Sequence, residues 1–324
     1  MMRDCILVIG AMGQIGLELT QALQNQYGLN QVIASDIAPG PKNPEFEGIY
    51  EQLDVLDHHN LVRIIDKYNV NQIYLLAAIL SAKGESNPLF AWKLNMDGLL
   101  NVLELAVSKK IAKIFWPSSI AIFGPSTPKK LTPQNTYADP NTAYGISKLA
   151  GEKWAEYYYL KKGVDIRSIR YPGLISWKTL PGGGTTDYAV DIYYKAITEQ
   201  KYTCFLSAET YLPMLYMPDA IRATLELMNA PASNIKIRSS YNLAGLSFCP
   251  REIATSIQEH IHSFKIDYQP DFRQQIADSW PQSIDDMAAQ QDWGWKHHYD
   301  LPSMTADMLT NLSPLLTQKN NQQT

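Results

Sequence analysis

The chain has 324 residues, 45% hydrophobic and 19% charged, a composition that suits a globular protein with one large core and a smaller attachment. Its formal net charge of −4, with no basic run and no basic amphipathic stretch, excludes nucleic acid and anionic membrane surfaces as expected partners. No segment approaches the roughly 18 uninterrupted apolar residues of a membrane span.

The N-terminus, Met1-Met2-Arg3-Asp4-Cys5, leads at once into a strand pattern, so no targeting peptide is expected and a cytoplasmic protein is. The run Cys5–Ile9 reads as a first strand, followed by a glycine turn and a helix over Gln14–Gln26. Gln31–Ser35 is a second strand ending at Asp36, and a Pro-rich polar loop leads to a third at Tyr50–Leu53. Leu61–Tyr68 has helical period, Gln72–Ala77 is a buried-type strand, and Ala91–Val107 is a long amphipathic helix. Lys113–Trp116 with Ser118 makes a fifth strand, Tyr144–Leu160 a helix, and Asp165–Arg170 a sixth strand. Strands alternating with helices at this spacing predict a Rossmann-type α/β fold, a doubly wound parallel sheet.

The rhythm changes near Ser176. A Gly-rich loop, Pro181-Gly182-Gly183-Gly184, precedes a helix over Tyr188–Glu199; Leu215–Met228 reads as a strand-to-helix return to the sheet, and Ile253–Phe264 as a helix. The expected division is residues 1–176 as the dinucleotide-binding part with a return segment near 214–245, residues 177–213 and 246–312 as a smaller C-terminal substrate-binding lid, and 313–324 as a frayed tail. Cys5, Cys204 and Cys249 are odd in number and far apart, and His58-His59, His260, His262 and His297-His298 form no HExxH pattern. Neither a disulfide framework nor a metal site is expected.

Two constellations carry chemistry. Gly10-Ala11-Met12-Gly13-Gln14-Ile15-Gly16 follows a strand and opens a helix; glycines there allow a tight turn and close backbone approach to a pyrophosphate, which exposed helix N–H groups stabilise. Asp36, twenty residues past Gly16, is placed to accept from ribose hydroxyls and to repel a 2′-phosphate, so NAD is expected over NADP although Lys42 is near. Asp54 after the third strand fits either an adenine contact or a surface acid. Tyr144 and Lys148 are four apart on a helix and share a face; an ammonium there favours the phenolate, which can take a hydroxyl proton as hydride leaves carbon. Ser119, just past the fifth strand, is placed to hydrogen-bond the same oxygen. Tyr157/Lys161 and Tyr158/Lys162 repeat the spacing but lie two to four turns further along, away from the cofactor edge.

With these motifs the chain resembles the extended short-chain dehydrogenase/reductases related to UDP-galactose 4-epimerase, and more narrowly the short-chain type of L-threonine 3-dehydrogenase. The resemblance runs over nearly the whole chain: Ala77–Ser81 with Gly84-Glu85, Pro117–Ala121, Tyr144–Lys148, Arg170–Ser176, Leu180–Ala189, Leu212–Met214, Tyr216–Asp219, Ser279-Trp280-Pro281, Asp285-Asp286 and Asp292–Trp295. It implies oxidation of L-threonine at C3 to 2-amino-3-ketobutyrate with reduction of NAD, Tyr144 as base, Lys148 as its partner and Ser119 orienting the hydroxyl. It further implies an NAD site from Gly10, Met12, Gly13, Gln14, Ile15, Gly16, Asp36, Ile37, Asp54, Val55, Ala77, Ala78, Asn95, Tyr144, Lys148 and Leu174. Ser81, Ser119, Tyr144, Thr186 and Trp280 would meet the substrate, and a homodimer would form by pairing the helices around Leu94–Val107 and Tyr144–Leu160.

Read from the residues alone, Ser81 is a turn former, Thr185, Thr186 and Asp187 are helix caps, and Trp280, Trp293 and Trp295 fill a small core. Where the family tends to carry an arginine four to five residues after Asp285-Asp286, this chain has Ala289 and Gln290; if that arginine holds the lid, this lid closes differently. A nucleotide-sugar epimerase or dehydratase would share the fold and base but needs basic residues for a diphosphate, and Arg251 and Arg273 form no cluster. A non-catalytic NAD sensor is the third class; such proteins lose the Tyr or the Lys, and both are present.

Overall fold

The computed structural model describes residues 4–41, 46–180, 182 and 184–321; Lys42, and Pro181 and Gly183 of the Gly-rich loop, lie outside the described residues. The first part of the chain lays down β1 (Ile6–Ile9), α1 (Gln14–Tyr27), β2 (Val32–Asp36), β3 (Ile49–Gln52), α2 (His58–Tyr68), β4 (Gln72–Leu75), α3 (Ser81–Ser86), α4 (Pro88–Lys109), β5 (Lys113–Phe115), β6 (Ser118–Ser119), α5 (Ala143–Lys162), β7 (Ile166–Arg167), β8 (Ile169–Tyr171) and β9 (Gly173–Ile175). Six strands form an all-parallel sheet in the order β3-β2-β1-β4-β5-β7, the doubly wound arrangement that places a ligand crevice where the order reverses, beside β1 and β4.

Alternation explains why these strands read as unbroken apolar runs. Leu7 and Ile9 of β1 face one core with Leu61 and Ile64 of α2 and Leu99, Val102 and Leu103 of α4. Ile6 and Val8 face the other, with Leu19 and Leu23 of α1. A strand covered on both sides needs apolar residues at every position. Local chemistry punctuates the helices: Asp57, Asn87 and Thr142 accept backbone N–H bonds at the starts of α2, α4 and α5, and Gly163 closes α5 in the left-handed region.

The second part contains α6 (Tyr188–Thr198), β10 (Lys201–Cys204), β11 (Leu212–Tyr216), α7 (Met217–Asn229), β12 (Tyr241–Asn242), β13 (Leu246–Phe248), α8 (Pro250–Gln258), β14 (Lys265–Tyr268), α9 (Arg273–Ser279), α10 (Met287–Trp293) and α11 (Leu301–Asn321). α7 returns to the α1 side of the sheet, where Leu227 and Met228 join the core shared with Leu19. The remaining core gathers Tyr188 and Tyr193 of α6, Cys204 of β10, Ile253 and Ile257 of α8, Phe264, Trp280 and Met304 and Met308 of α11. Three expectations change here. The helix expected to reach Phe264 stops at Gln258, because Ile261 and Phe264 reach the core from a turn (Ile261 N–H to Ile257 O, Phe264 N–H to Ile261 O) while keeping helix-like spacing. β10 and β14 form a two-stranded parallel sheet that the pattern did not suggest. The tail expected to fray from Ser313 continues as helix to Asn321.

One buried ion pair ties sheet to helix. Glu152 on α5 is 1% exposed and receives Arg170 of β8 through two parallel bonds, Nε to Oε1 at 2.9 Å and Nη2 to Oε2 at 2.8 Å. Ser118 Oγ donates to the same Oε1 at 2.6 Å, and Arg170 Nη1 donates on to the Gln134 carbonyl and to Asn242 Oδ1 of β12. Removing one partner of such a pair leaves a buried charge without compensation, at a cost of about 3–5 kcal/mol. Glu152→Gln should therefore lower the free energy of unfolding by about 3 kcal/mol in denaturant titration. Glu152→Gln combined with Arg170→Met should lose clearly less than the sum of the two single changes; strict additivity would show that the pair is not coupled.

Candidate active site

The glycine turn shapes one wall. Gly10 has φ +88°, and a Cβ there would lie 2.6 Å from Ala77 N; at Gly16 a Cβ would lie 2.2 Å from the Gly10 carbonyl. Only glycines let β1, the turn and α1 close on one another. α1 starts at Gly13 with no side-chain cap and no acid in its first turn, and Gln14, Ile15 and Gly16 line a cleft of about 1080 Å³ including its open mouth. An uncapped helix start at the carboxyl edge of a parallel sheet is a site for a phosphate anion. Asp36 ends β2 half-buried; its Oδ2 accepts Met12 N–H at 3.0 Å, which fixes the carboxylate against the glycine turn. These features fit a dinucleotide.

The same cleft is lined by Ala78, Leu80, Ser81, Ser119, Tyr144, Lys148, Leu174, Thr185, Thr186, Asp187 and Trp280. Tyr144 occupies the first turn of α5, and Gly145 allows that turn to approach the end of β6: a Cβ there would lie 2.1 Å from the Ala121 carbonyl. Glu85 Oε1 accepts Ala143 N–H at 2.8 Å, so a carboxylate from α3, whose first residue is Ser81, sits on the positive end of α5. Lys148 is 3% exposed; its Nζ donates to the Pro117 carbonyl at 2.6 Å and lies 4.5 Å from the Trp116 ring centre and 5.6 Å from that of Tyr144.

The expected electrostatics need correction. Burial pushes the Tyr144 phenol up to about 12, with a hydrogen bond from Ser119 pulling it back only in part. Burial takes Lys148 down to about 7, with Glu152 supporting its charge. In the protein alone, desolvation of both groups outweighs the expected lowering of the phenol by the ammonium.

Met12, Asp36, Ile37, Asp54, Val55, Ala77 and Asn95 do not line this cleft. Met12 and Asp36 are joined by the hydrogen bond described above, Ile37 follows Asp36 and is exposed, and Ala77 N–H bonds the Ile9 carbonyl. Asp54 is exposed and accepts Leu56 N–H at 2.9 Å, a turn role. Val55 is buried against the backbone of Gly98, and Asn95 is fully engaged, bonding the N–H and carbonyl of Ile79 and Ser147 Oγ. Asn95 thus ties the loop after β4 to α5. Of the repeated Tyr–Lys spacings, Tyr158 is buried with its hydroxyl on Glu104, while Tyr157, Lys161 and Lys162 are exposed at the far end of α5. In place of the expected arginine, Gln290 Nε2 donates to Asp286 Oδ1 at 2.7 Å and Ala289 is fully buried. Among the described residues no group of three or more His, Cys, Asp or Glu side chains is placed to hold a metal ion, and no helix is long and apolar enough to cross a membrane.

Sequence reasoning assigned no role to Glu152, Arg170 or Glu85. A carboxylate at the fourth residue after Lys148, in step with Tyr144 and Lys148 on one helix face, was the available signal.

Comparison with known proteins places this geometry. The chain is 47% identical over 306 residues to an uncharacterized epimerase/dehydratase of Staphylococcus haemolyticus (strain JCSC1435), covering 94% of this chain and 96% of that one. The holo form of a GalE-like L-threonine dehydrogenase from Cupriavidus necator superposes with a TM-score of 0.93 at 55% identity, covering 95% of this chain and 100% of that one. A monomeric L-threonine 3-dehydrogenase from a metagenome, in its apo form, superposes with a TM-score of 0.92 at 48% identity over 96% of this chain and 99% of its own. The model of the NAD dependent epimerase/dehydratase family matches residues 6–244. On this likeness and on the glycine turn, Asp36 and the Tyr144/Lys148 pair, the chain belongs to the NAD dependent epimerase/dehydratase family.

Proposed function

We propose that this protein oxidises L-threonine at C3 to 2-amino-3-ketobutyrate, with Tyr144 as the base. The observation that carries the reading is the meeting of Tyr144, Ser119 and Lys148 with Ser81, Thr186 and Trp280 in one cleft that opens onto the uncapped start of α1. When bound, NAD supplies the hydride acceptor and, in its oxidised nicotinamide, a positive charge. Gly10, Gly13, Gln14, Ile15 and Gly16 would hold its pyrophosphate, Asp36 the ribose hydroxyls, and Leu174 and Ala78 the wall beside it. Tyr144 Oη takes the proton of the substrate hydroxyl, Ser119 Oγ holds that oxygen in line, and Lys148 supports the phenolate as it forms. We take residues 177–213 and 246–312 as the part that binds the amino acid, with Trp280 and Thr186 as its contribution to the cleft.

We also infer a homodimer. The outer faces of α4 and α5 leave Leu89, Trp92, Ile146, Trp154, Tyr157 and Leu160 exposed, an apolar strip across two adjacent helices that a second copy would cover to make four.

Replacing Tyr144 by Phe should cut NAD reduction with L-threonine by on the order of 10²-fold or more while NAD binding, followed by calorimetry, persists. Equal loss of both would remove Tyr144 from the chemistry. A phenol held at about 12 is protonated at neutral pH, so its basic fraction grows about tenfold per pH unit below that value. The kcat/KM for L-threonine should accordingly climb from about pH 7 to about pH 10; a flat profile in the wild type contradicts this assignment. Light scattering should return twice the chain mass, and Trp154→Glu should return the chain mass with the circular dichroism spectrum intact; a wild-type monomer at tens of micromolar would discount the dimer.

A further inference from the structure

We propose that Lys129 is a positioning residue for the amino-acid side of the cleft: its ammonium grips the Ser279 carbonyl and so sets Trp280 in the cleft wall. The assignment rests on the reading above that this cleft takes an amino acid. Lys129 lies in the segment between β6 and α5, and its Nζ donates to the Ser279 carbonyl at 2.6 Å and to the Gly124 carbonyl at 3.4 Å. Ser279 is the last residue of α9, where helix carbonyls lack intrahelical partners and a cation is favoured. Partial burial pulls the ammonium below the usual lysine range, and the charges of Asp139 and Asp278 offset this in part.

Trp280 follows directly. It is 6% exposed and lines the cleft, and its indole N–H is buried without a protein partner. Among the described residues no side-chain hydrogen bond therefore sets the ring; its placement depends on the core around it and on the backbone to either side. Lys129 holds that backbone on both sides of the indole. Its Nζ takes the Ser279 carbonyl, and its own carbonyl accepts Gln282 N–H at 2.7 Å. The contact continues as a parallel strap, with Thr132 N–H to the Ser283 carbonyl at 2.9 Å and Asp285 N–H to the Thr132 carbonyl at 3.1 Å. Asn242 Nδ2 clamps both sides of the strap through the Thr132 and Asp285 carbonyls, and Asn242 Oδ1 accepts Arg170. The wall holding Trp280 and the helix holding Tyr144 are thus anchored to one ion pair, and Lys129 supplies the side-chain link nearest the indole.

The test is Lys129→Met, which keeps the aliphatic stem and removes the donors. KM for L-threonine should rise about tenfold while kcat and KM for NAD stay within about threefold, and Lys129→Arg should restore most of the loss. In a Trp280→Phe background the same change should raise KM by less than about twofold, since the residue it positions is gone. A fall in kcat with unchanged KM, or an equal effect in both backgrounds, would overturn the proposal. Independently of any substrate, the fluorescence difference between each protein and its Trp280→Phe counterpart isolates the Trp280 emission. Acrylamide should quench that emission severalfold more readily after Lys129→Met, and unchanged quenching would also overturn the proposal. Should the wild type fail to oxidise L-threonine, the substrate reading falls while the quenching experiment still decides the role of Lys129.

Discussion

The site depends on a single buried carboxylate. Glu152 sits two turns along α5 from Tyr144 and one from Lys148, on the same face, and it takes in Arg170 from the sheet and Ser118 from the strand end. Ser118 is the neighbour of Ser119, so Tyr144, Lys148 and Ser119 are all placed relative to one group. A buried pair of this kind is no great source of net stability, because desolvating two charges cancels most of their attraction. What it provides is geometry: the carboxylate accepts in fixed directions, and a small shift of α5 along the sheet would break three charge-assisted or buried hydrogen bonds together.

The electrostatics of the pair on that helix show why a spacing rule is only half an argument. Four residues on a helix bring an ammonium near a phenol, and in water that would favour the phenolate. In the protein both groups have left water: Tyr144 is carried up to about 12 and Lys148 down to about 7, each away from its charged form. The protein thus keeps two neutralisable groups side by side in a low-dielectric wall, where an added positive charge has a large effect on both.

Much of the fold was legible because its signals are local. Gly10 and Gly16 are required by close backbone approach, to Ala77 and to the Gly10 carbonyl, the strands of the sheet are apolar at every position because helices cover both faces, and Tyr144 with Lys148 announces itself by period. What stayed hidden depends on distant partners. Arg170 inside a strand and Glu152 inside a helix read as surface charges until the fold brings them together. β10 and β14 are four residues each and pair across a long stretch of chain, leaving no period to find. The contacts of Asn95 with Ile79 and Ser147, and of Val55 with Gly98, likewise join segments far apart in sequence and leave no local pattern. Lys129 is one lysine among many in the sequence, and only its reach to Ser279 distinguishes it.

α1 begins without a capping side chain or an acid in its first turn, as α3, α9 and α10 also do; it differs from them in opening from the glycine turn after β1, where Gln14, Ile15 and Gly16 line the cleft. The pyrophosphate of a bound dinucleotide would meet the first N–H donors of α1 from outside the chain. A bound dinucleotide would then be a structural member as well as a reagent: it would finish the helix against which β1 and α7 pack, and would stabilise the fold in proportion to the logarithm of its concentration over its dissociation constant. Cellular cofactor supply would in this way govern how long the protein survives as well as how fast it works.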